Sequence, residues 1–288
     1  RRFFERVFEE QRSCATTVAF TNATQTNATH LDDDMLDFLL ANDVGIGLSL
    51  DGPMPLNDGS RRSRRRLPML ADGAGGGGCA SNQGGCGTNQ GFSAHETTVG
   101  AARRLQDRGR GAAAIVTVNR HNVGRPEAVY REFNDRRIHM KVNPLTRSGL
   151  ADTPLGSDLG ITDVEYGEFL VRLFDAWFDD PDAVITIDPF GQHIARIVGD
   201  EVAHNCFYTL SCHRFFLGVS PDGDLFPCGM FQGEPSFRYG NIGDMEPEDV
   251  ARTMLFGDID AREQKVLEDC SRCAFFDLCY SGCMFHSL

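Results

Sequence analysis

The chain has 288 residues, of which 41% are hydrophobic, and its formal net charge is −13. This length and composition allow one large domain or two smaller ones with a real core. The acidic charge argues against a nucleic-acid partner, because phosphates would be repelled. No apolar run approaches the roughly 20 residues that a membrane span requires. We therefore expect neither a nucleic acid nor a membrane as a partner.

The first two thirds of the chain alternate predicted helices and strands. Helices are predicted at residues 1–11, 30–42, 97–107, 125–134 and 165–179. Strands are predicted at residues 18–21 (continuing toward Asn27), 44–50, 113–118 and 139–142. Repeated strand–helix units imply an α/β fold with a parallel sheet and crossover helices.

An arginine- and glycine-rich segment at about residues 60–94 interrupts these units. It carries five arginines within residues 61–66 and then long glycine runs. Such a segment cannot bury enough apolar surface to fold by itself, so we predict a disordered insertion. Within it, Cys79 and Cys86 are interpreted as loop thiols rather than as metal ligands.

The character of the sequence changes after a boundary within residues 180–205. Beyond it the chain is rich in Gly, Pro and Cys, with short predicted strands at 215–219 and 224–226. The triplet Pro221-Asp222-Gly223 between them predicts a hairpin turn. We therefore predict two domains, at residues 1–190 and 191–288.

Cysteines are numerous and unevenly distributed. The chain has ten, and seven of them lie within residues 206–283. Disulfide frameworks are typical of small secreted domains, whereas this chain is not small and shows no signal peptide. The crowding therefore favours metal binding in a reducing compartment, and we expect a cytoplasmic protein.

The spacing of the seven cysteines indicates the kind of metal site. Thiolates are soft ligands that suit both zinc and iron–sulfur clusters. A pair such as Cys270 and Cys273 fits a zinc ribbon as well as it fits a cluster. Seven ligands are too many for one metal ion, which favours clusters and leaves a zinc site as the alternative. The seven are Cys206, Cys212, Cys228, Cys270, Cys273, Cys279 and Cys283.

This seven-cysteine arrangement resembles the SPASM domain of radical SAM enzymes, most closely that of anaerobic sulfatase-maturating enzymes and related peptide maturases. The resemblance implies a partial (β/α)6 radical SAM barrel without its N-terminal strands, followed by a cysteine-rich α+β SPASM domain. It also implies two auxiliary [4Fe-4S] clusters. The first cluster would be held by Cys206, Cys212, Cys228 and Cys283. The second would be held by Cys270, Cys273, Cys279 and a cysteine beyond the end of this chain.

Three motifs in the first half of the chain resemble the same family. They are Gln-Thr-Asn-Ala-Thr at residues 25–29, Ser-Leu-Asp-Gly-Pro at 49–53 and Val-Asn-Arg-His-Asn at 118–122. In such barrels the C-terminal ends of the strands carry the chemistry. By analogy we expect Asn27, Ser49 and Arg120 to line an S-adenosylmethionine (SAM) site, with a capping or turn role as the alternative for each.

The Cys-x3-Cys-x2-Cys motif that binds the SAM-cleaving cluster in this family is absent from the sequence. The resemblance places that third cluster upstream of the chain. The sequence also begins without Met, inside a predicted helix, and stops in cysteine-rich sequence. We therefore expect both ends to be cut from a longer protein, and the fragment alone to be inactive.

The resemblance implies a peptide or protein maturase. In this class a 5′-deoxyadenosyl radical abstracts hydrogen from a substrate residue, auxiliary clusters assist, and flavodoxin or ferredoxin donates electrons. One alternative is a sulfatase-maturating, formylglycine-generating enzyme. Those enzymes carry an Asp directly after the cysteine that matches Cys228, where this chain has Gly229, and this difference counts against that chemistry. Asp222 and Glu234 are candidates for proton transfer, with a turn role for Asp222. A non-enzymatic iron–sulfur or zinc-binding module is the other alternative.

Overall fold

The computed structural model describes residues 1–14, 19–61, 93–146, 151, 153, 156–199, 206–209 and 211–287. Contacts divide the chain into two units. The first comprises Arg1–Leu145 and Ile161–Ile185, and the second comprises Thr146–Gly160 and Thr186–Leu288. Most of the arginine- and glycine-rich segment, with Cys79 and Cys86, lies outside the described residues. No helix of the described part is long and apolar enough to cross a membrane.

The first unit is built on parallel strands. They are β1 (Ala23–Thr26), β2 (Gly45–Ser49), β3 (Ala112–Val118) and β4 (Ile138–Pro144). The strands lie in the order β1-β2-β3-β4, and each neighbouring pair is parallel. The sequence-based prediction of a parallel α/β sheet is therefore confirmed.

Helices connect and cover these strands. They are α1 (Arg2–Ser13), α2 (Asp33–Ala41), α3 (Met54–Ser60), α4 (Ala94–Asp107), α5 (Pro126–Asp135) and α6 (Asp163–Phe178). Side-chain caps begin several of them: the carboxylate of Asp32 accepts from the N–H of Met35, and Thr162 forms a capping box with Glu165. The core between sheet and helices contains fully buried side chains such as Leu48 and Phe133.

The second unit contains a small antiparallel sheet and several short helices. Its elements are β5 (Ile187–Asp188), α7 (Phe190–Ile197), β6 (Gly218–Val219), β7 (Asp224–Phe226), β8 (Gly240–Asn241), α8 (Met254–Cys270) and α9 (Phe276–Cys279). β7 pairs with both β6 and β8. The predicted hairpin turn between β6 and β7 is confirmed, and Gly223 has the positive φ of 84° that glycine adopts at low cost.

Two predicted strands are wrong in extent. β1 begins at Ala23, not within 18–21, because its partner β2 begins only at Gly45, whose N–H bonds the carbonyl of Asn22. Val18 lies outside the described residues. The predicted strand 215–219 is reduced to β6, because the N–H groups of Phe215 and Phe216 both bond the carbonyl of Cys212 in a tight turn.

Asp51 links three segments of the first unit. Its buried carboxylate accepts two hydrogen bonds from the guanidinium of Arg61, both at 2.8 Å, and one from the hydroxyl of Ser60 at 3.0 Å. It also accepts from the N–H of Thr117 in β3 at 2.9 Å. The carboxylate therefore fixes the end of α3 against the sheet.

We predict that Asp51→Ala destabilises the first unit by about 3–5 kcal/mol, because it leaves a partly buried guanidinium and a backbone N–H without their partner. Urea unfolding followed by the fluorescence of Trp177, the single tryptophan, measures this unit. Asp37→Ala is the control: its carboxylate is exposed and pairs with Arg108, so its removal should cost far less stability. Equal losses in both variants would contradict the role assigned to Asp51.

Candidate metal centre

The seven predicted ligands all lie in the second unit, at the ends of short elements. Cys206 and Cys212 each begin a 3₁₀ turn, and Cys228 precedes another. Cys270 and Cys279 are the last residues of α8 and α9. Cys212 is buried and Cys228, Cys270, Cys279 and Cys283 are half-buried, whereas Cys206 and Cys273 are exposed. Loops that converge from several elements are what a thiolate-ligated site requires.

The electrostatic environment of the thiols separates them into two groups. Burial raises the pKa of Cys212 to about 12, and the charges of Cys283, Cys228 and Cys206 add to this rise. The pKa of Cys283 is likewise raised by burial and then by Cys228 and Cys206. These four thiols are therefore close neighbours, and they are the same four that the sequence assigned to a first cluster.

The remaining thiols form the second group. Burial raises the pKa of Cys279, and the charges of Cys270 and Cys273 raise it further. None of the thiols in the first group contributes to this shift. The assignment of each group to its own cluster stays a prediction, which this arrangement supports.

Successive backbone N–H groups point at three of the sulfurs. The sulfur of Cys228 accepts from Met230 and Phe231, and each of these bonds lowers the thiol pKa against the effect of burial. Cys279 and Cys283 have the same arrangement with the N–H groups of the residues two and three positions later in the chain. Such concave nests of N–H groups bind anions and recur at iron–sulfur sites.

The nest at Cys279 has a visible backbone cause. Tyr280, Ser281 and Gly282 all have positive φ, at 47°, 70° and 75°. Two of these residues carry a Cβ, for which this region is costly. This backbone conformation turns the N–H groups of Ser281 and Gly282 toward the sulfur of Cys279. The arrangement around the thiol is therefore formed at a cost in conformational energy.

A buried histidine fixes the turn that carries Cys212. The side chain of His213 is fully buried; its Nε2 lies 2.8 Å from Asp260 and its Nδ1 3.3 Å from Glu263. Both carboxylates belong to α8, whose last residue is Cys270. Arg214 also pairs with Asp260. One helix therefore anchors the Cys212 turn and ends at a thiol of the second group.

The residues predicted for a SAM site lie at the carboxyl ends of the strands. Thr98 joins two of them, since its hydroxyl is 3.4 Å from the carbonyl oxygens of both Asn27 and Ser49. Arg120, just after β3, instead pairs with Glu165. This hydrogen bond is the largest of the causes that lower the pKa of the Glu165 carboxyl to about 2. The structure thus brings Asn27 and Ser49 together and gives Arg120 a partner on α6. Their role toward SAM stays a prediction.

The two candidates for proton transfer are both exposed. Asp222 lies in the β6–β7 turn, where its carbonyl accepts from the side chain of Asn241 at 2.9 Å. This is the turn role considered for it from the sequence. Glu234 lies in a surface turn beyond Cys228, and its N–H bonds the carbonyl of Phe231. A catalytic role for either residue stays a prediction.

Sequence reasoning missed three residues that shape this region. His213 and Tyr239 are buried beside the first group, and Gly218 packs against the backbone of Cys228. Only His213 carried a signal, since it directly follows a predicted ligand. The other two became visible only when the tertiary contacts were known.

Gly218 sets the position of Cys228 by its lack of a side chain. A Cβ at residue 218 would lie 2.6 Å from both the carbonyl carbon and the carbonyl oxygen of Cys228. Gly229, the next residue after Cys228, is exposed and has no atom within 4 Å of such a Cβ. These two glycines therefore offer a matched pair of substitutions.

We predict that Gly218→Ala displaces Cys228, costs about 1–3 kcal/mol of stability through overpacking, and lowers the iron that the first group of thiols retains. Gly229→Ala should change stability by about 0.5 kcal/mol or less and leave iron binding intact. Thermal unfolding and iron analysis after anaerobic reconstitution measure both effects. Full iron retention in Gly218→Ala would show that the position of Cys228 does not depend on this contact.

Comparison with known families agrees with the site. Residues 206–274 match the SPASM family, described as an iron-sulfur cluster-binding domain. This span contains Cys206, Cys212, Cys228, Cys270 and Cys273.

Relatives of known function match nearly the whole chain. A cysteine-type anaerobic sulfatase-maturating enzyme of Clostridium perfringens is 25% identical over 285 residues, which cover 98% of this chain and 69% of the relative. A serine-type anaerobic sulfatase-maturating enzyme of Bacteroides thetaiotaomicron is 23% identical over 299 residues, covering 98% of this chain and 65% of the relative. The chain thus spans about two thirds of the length of these relatives.

Solved structures share the fold. Native anSMEcpe with bound AdoMet and the Kp18Cys peptide aligns with a TM-score of 0.73 at 23% identity, covering 99% of this chain and 72% of that one. SuiB of Streptococcus suis bound to S-adenosylmethionine aligns with a TM-score of 0.57 at 15% identity, covering 92% and 55%. The chain is thus similar to the anaerobic sulfatase-maturating enzymes over nearly its whole length, shares the fold of these solved structures, and contains a segment that matches the SPASM family.

Proposed function

We propose that the complete gene product is a radical SAM maturase that modifies a peptide or protein, and that its second unit binds two auxiliary [4Fe-4S] clusters. The observation that carries this proposal is the separation of the thiols into two groups, with backbone N–H nests at Cys228, Cys279 and Cys283. Cys206, Cys212, Cys228 and Cys283 would hold the first cluster. Cys270, Cys273 and Cys279 would hold the second, with a further ligand.

The thiol spacing favours clusters over a single zinc ion. Tetrahedral zinc with Zn–S bonds of about 2.3 Å holds its thiolates about 3.8 Å apart. Among the described residues, one group of three metal-binding side chains has its ligand atoms all within 4.8 Å of one another: His213, Asp260 and Glu263. This group contains no cysteine, so the described thiols are more widely spaced than a zinc site requires. A four-iron cluster separates its thiolates more widely, because each binds a different iron.

The charge of the site also fits a cluster. Burial raises the pKa values of Cys212 and Cys283, and the charges of neighbouring thiols in the first group add to this rise. A bound metal centre supplies the positive charge that would let these thiols deprotonate. When bound, auxiliary clusters supply electron acceptance or an open iron for the substrate, while the chain itself supplies the ligands, the N–H nests and the burial.

The first unit would provide the SAM site. We propose that Asn27, Ser49 and Arg120 line it, at the carboxyl edge of a sheet that belongs to a partial (β/α)6 barrel. A further polar atom supports a ligand at this edge. Asn143 is in register with Thr117 at the end of β4, and its buried side-chain oxygen has no hydrogen-bond partner among the described residues.

The relatives support a peptide or protein substrate. Structures of anSMEcpe were solved with bound AdoMet and a peptide, and we propose a peptide or protein substrate for this chain as well. A flavodoxin or ferredoxin would donate the electrons. The domain limits of 1–190 and 191–288 belong to the same proposal. So does a third cluster, which would cleave SAM and whose ligands are not among the cysteines of this chain.

A sulfatase-maturating activity is the second candidate, because the relatives with 25% and 23% identity are named for it. The residue after Cys228 is Gly229 rather than an Asp, which leaves the expected proton acceptor of that reaction missing. We therefore favour a different peptide modification over formylglycine formation.

The test uses the anaerobically purified complete protein with SAM, a reductant and two peptides: one encoded beside its gene and one from a sulfatase with a Cys or Ser target. We expect 5′-deoxyadenosine together with a mass change in the first peptide and no formylglycine in the second. Formylglycine in wild-type reactions would favour the second candidate. Zinc without sulfide in the purified protein would support a non-enzymatic zinc module.

We predict that Gly229→Asp gains formylglycine formation on the sulfatase peptide. The open space around Gly229 accommodates the carboxylate, and a placed base contributes about 100-fold or more to proton transfer. Gly229→Asn has the same shape without the base and serves as the control. Mass spectrometry of the peptide measures both, and equal activity in the two variants would rule out a base at this position.

A further inference from the structure

Tyr239 is a buried polar residue that the predicted chemistry leaves unused. It lies directly before β8, and its N–H bonds the carbonyl of Leu225 in β7 at 2.8 Å. Its ring is 8% exposed and belongs to the core of the second unit, against which Cys228 also packs. The ring centroid lies 6.2 Å from that of Phe256 in α8. Packing therefore holds the phenol in one orientation.

The hydroxyl of Tyr239 is buried and makes no hydrogen bond to any described residue. Buried donors are almost always paired in folded proteins, and an unpaired one calls for a missing acceptor. Burial raises the pKa of Tyr239, and the charges of Cys212, Asp260, Cys228 and Glu263 contribute to the rise. The hydroxyl therefore lies near two thiols of the first group and two carboxylates of α8.

These neighbours are not equally available as acceptors. Asp260 already receives His213 Nε2 at 2.8 Å and Arg214 Nε at 3.1 Å. Glu263 has one buried oxygen without a partner among the described residues, so it is the competing acceptor. The sulfurs of Cys212 and Cys228 become strong acceptors only when they are ionised, as they are when they bind metal.

We propose that the Tyr239 hydroxyl donates a hydrogen bond to a sulfur of the first auxiliary cluster, at Cys212 or Cys228, and so tunes its reduction potential. This inference rests on the proposed function, because it requires that cluster. Reduction adds negative charge to the cluster, and a donor to its sulfur stabilises the reduced form more than the oxidised one. Tyr239 therefore acts as a tuning residue that makes the first cluster easier to reduce.

The test is Tyr239→Phe in the complete, anaerobically reconstituted protein. This change removes the hydroxyl and keeps the ring in the core. We expect iron and sulfide contents equal to those of wild type, a midpoint potential of the first cluster shifted to more negative values, and an unchanged potential for the second. Tyr130→Phe, in the first unit, removes a hydroxyl bonded to Asp180 and should shift neither cluster. Redox titration followed by electron paramagnetic resonance (EPR) measures the potentials.

Two further measurements separate the possible acceptors. Pulsed EPR of the reduced wild-type protein in D2O should show exchangeable deuterons coupled to the first cluster. The backbone N–H groups contribute to them in both proteins, and Tyr239→Phe should lose one coupling, that of the hydroxyl. Glu263→Gln should retain the deuteron signal if sulfur is the acceptor.

An unchanged potential in Tyr239→Phe, or the same deuteron couplings in Tyr239→Phe and wild type, would overturn the inference. If Tyr239→Phe binds less iron, the deuteron couplings of the clusters that it retains are compared with those of the wild type. Failure of the wild type to bind clusters would instead overturn the proposed function, so the two failures are distinguishable.

Discussion

The burial of several neighbouring thiols is the constraint on which the second unit depends. Cys212 and Cys283 each lie among other thiols, and burial together with those neighbours raises their pKa values. Such a site is unfavourable for free thiolates and becomes favourable when a positively charged metal centre occupies it. The N–H nests at Cys228, Cys279 and Cys283 offset part of the effect of burial, because each N–H bond favours the ionised sulfur. Much of the local structure, including the strained backbone around Cys279, serves to hold these sulfurs in place.

Helix α8 makes the two groups of thiols depend on one element. Asp260 and Glu263 hold His213, and through it the turn that carries Cys212. The same helix ends at Cys270 in the second group. Removal of His213 would leave two carboxylates facing a buried cavity, which is among the more costly changes in a protein interior. The geometry of one group is therefore not independent of the other.

The sequence predicted the parallel sheet because local patterns suffice for it. Alternating helix and strand signals imply crossover connections between parallel strands. The hairpin at Gly223 was likewise predictable from a local turn motif. Helix α3 was missed because the Asp51-Gly52-Pro53 turn masks a helix that starts directly after it, at Met54. Helix α8 was missed because its mixed sequence carries only a weak apolar stripe around Ile259, and the neighbouring cysteines suggested loops.

The site divided in the same way between predictable and unpredictable parts. Cysteine spacing predicts the ligands, because residue type and sequence separation are local features of the chain. The roles of Gly218 and Tyr239 depend on contacts between segments distant in sequence, which no local pattern encodes. The ion pair of Arg120 with Glu165 on α6 was equally invisible to the local motif, because it joins residues 45 positions apart.

The most direct measurement is the iron and acid-labile sulfide content of the complete protein and two double variants, Cys212→Ala/Cys228→Ala and Cys270→Ala/Cys273→Ala. Two separate four-iron clusters predict that each double variant loses about four irons and about four sulfides while it retains the cluster of the other group. Stoichiometric zinc without sulfide, or a double variant that keeps all the iron of the wild type, would contradict the division of these thiols into two cluster sites.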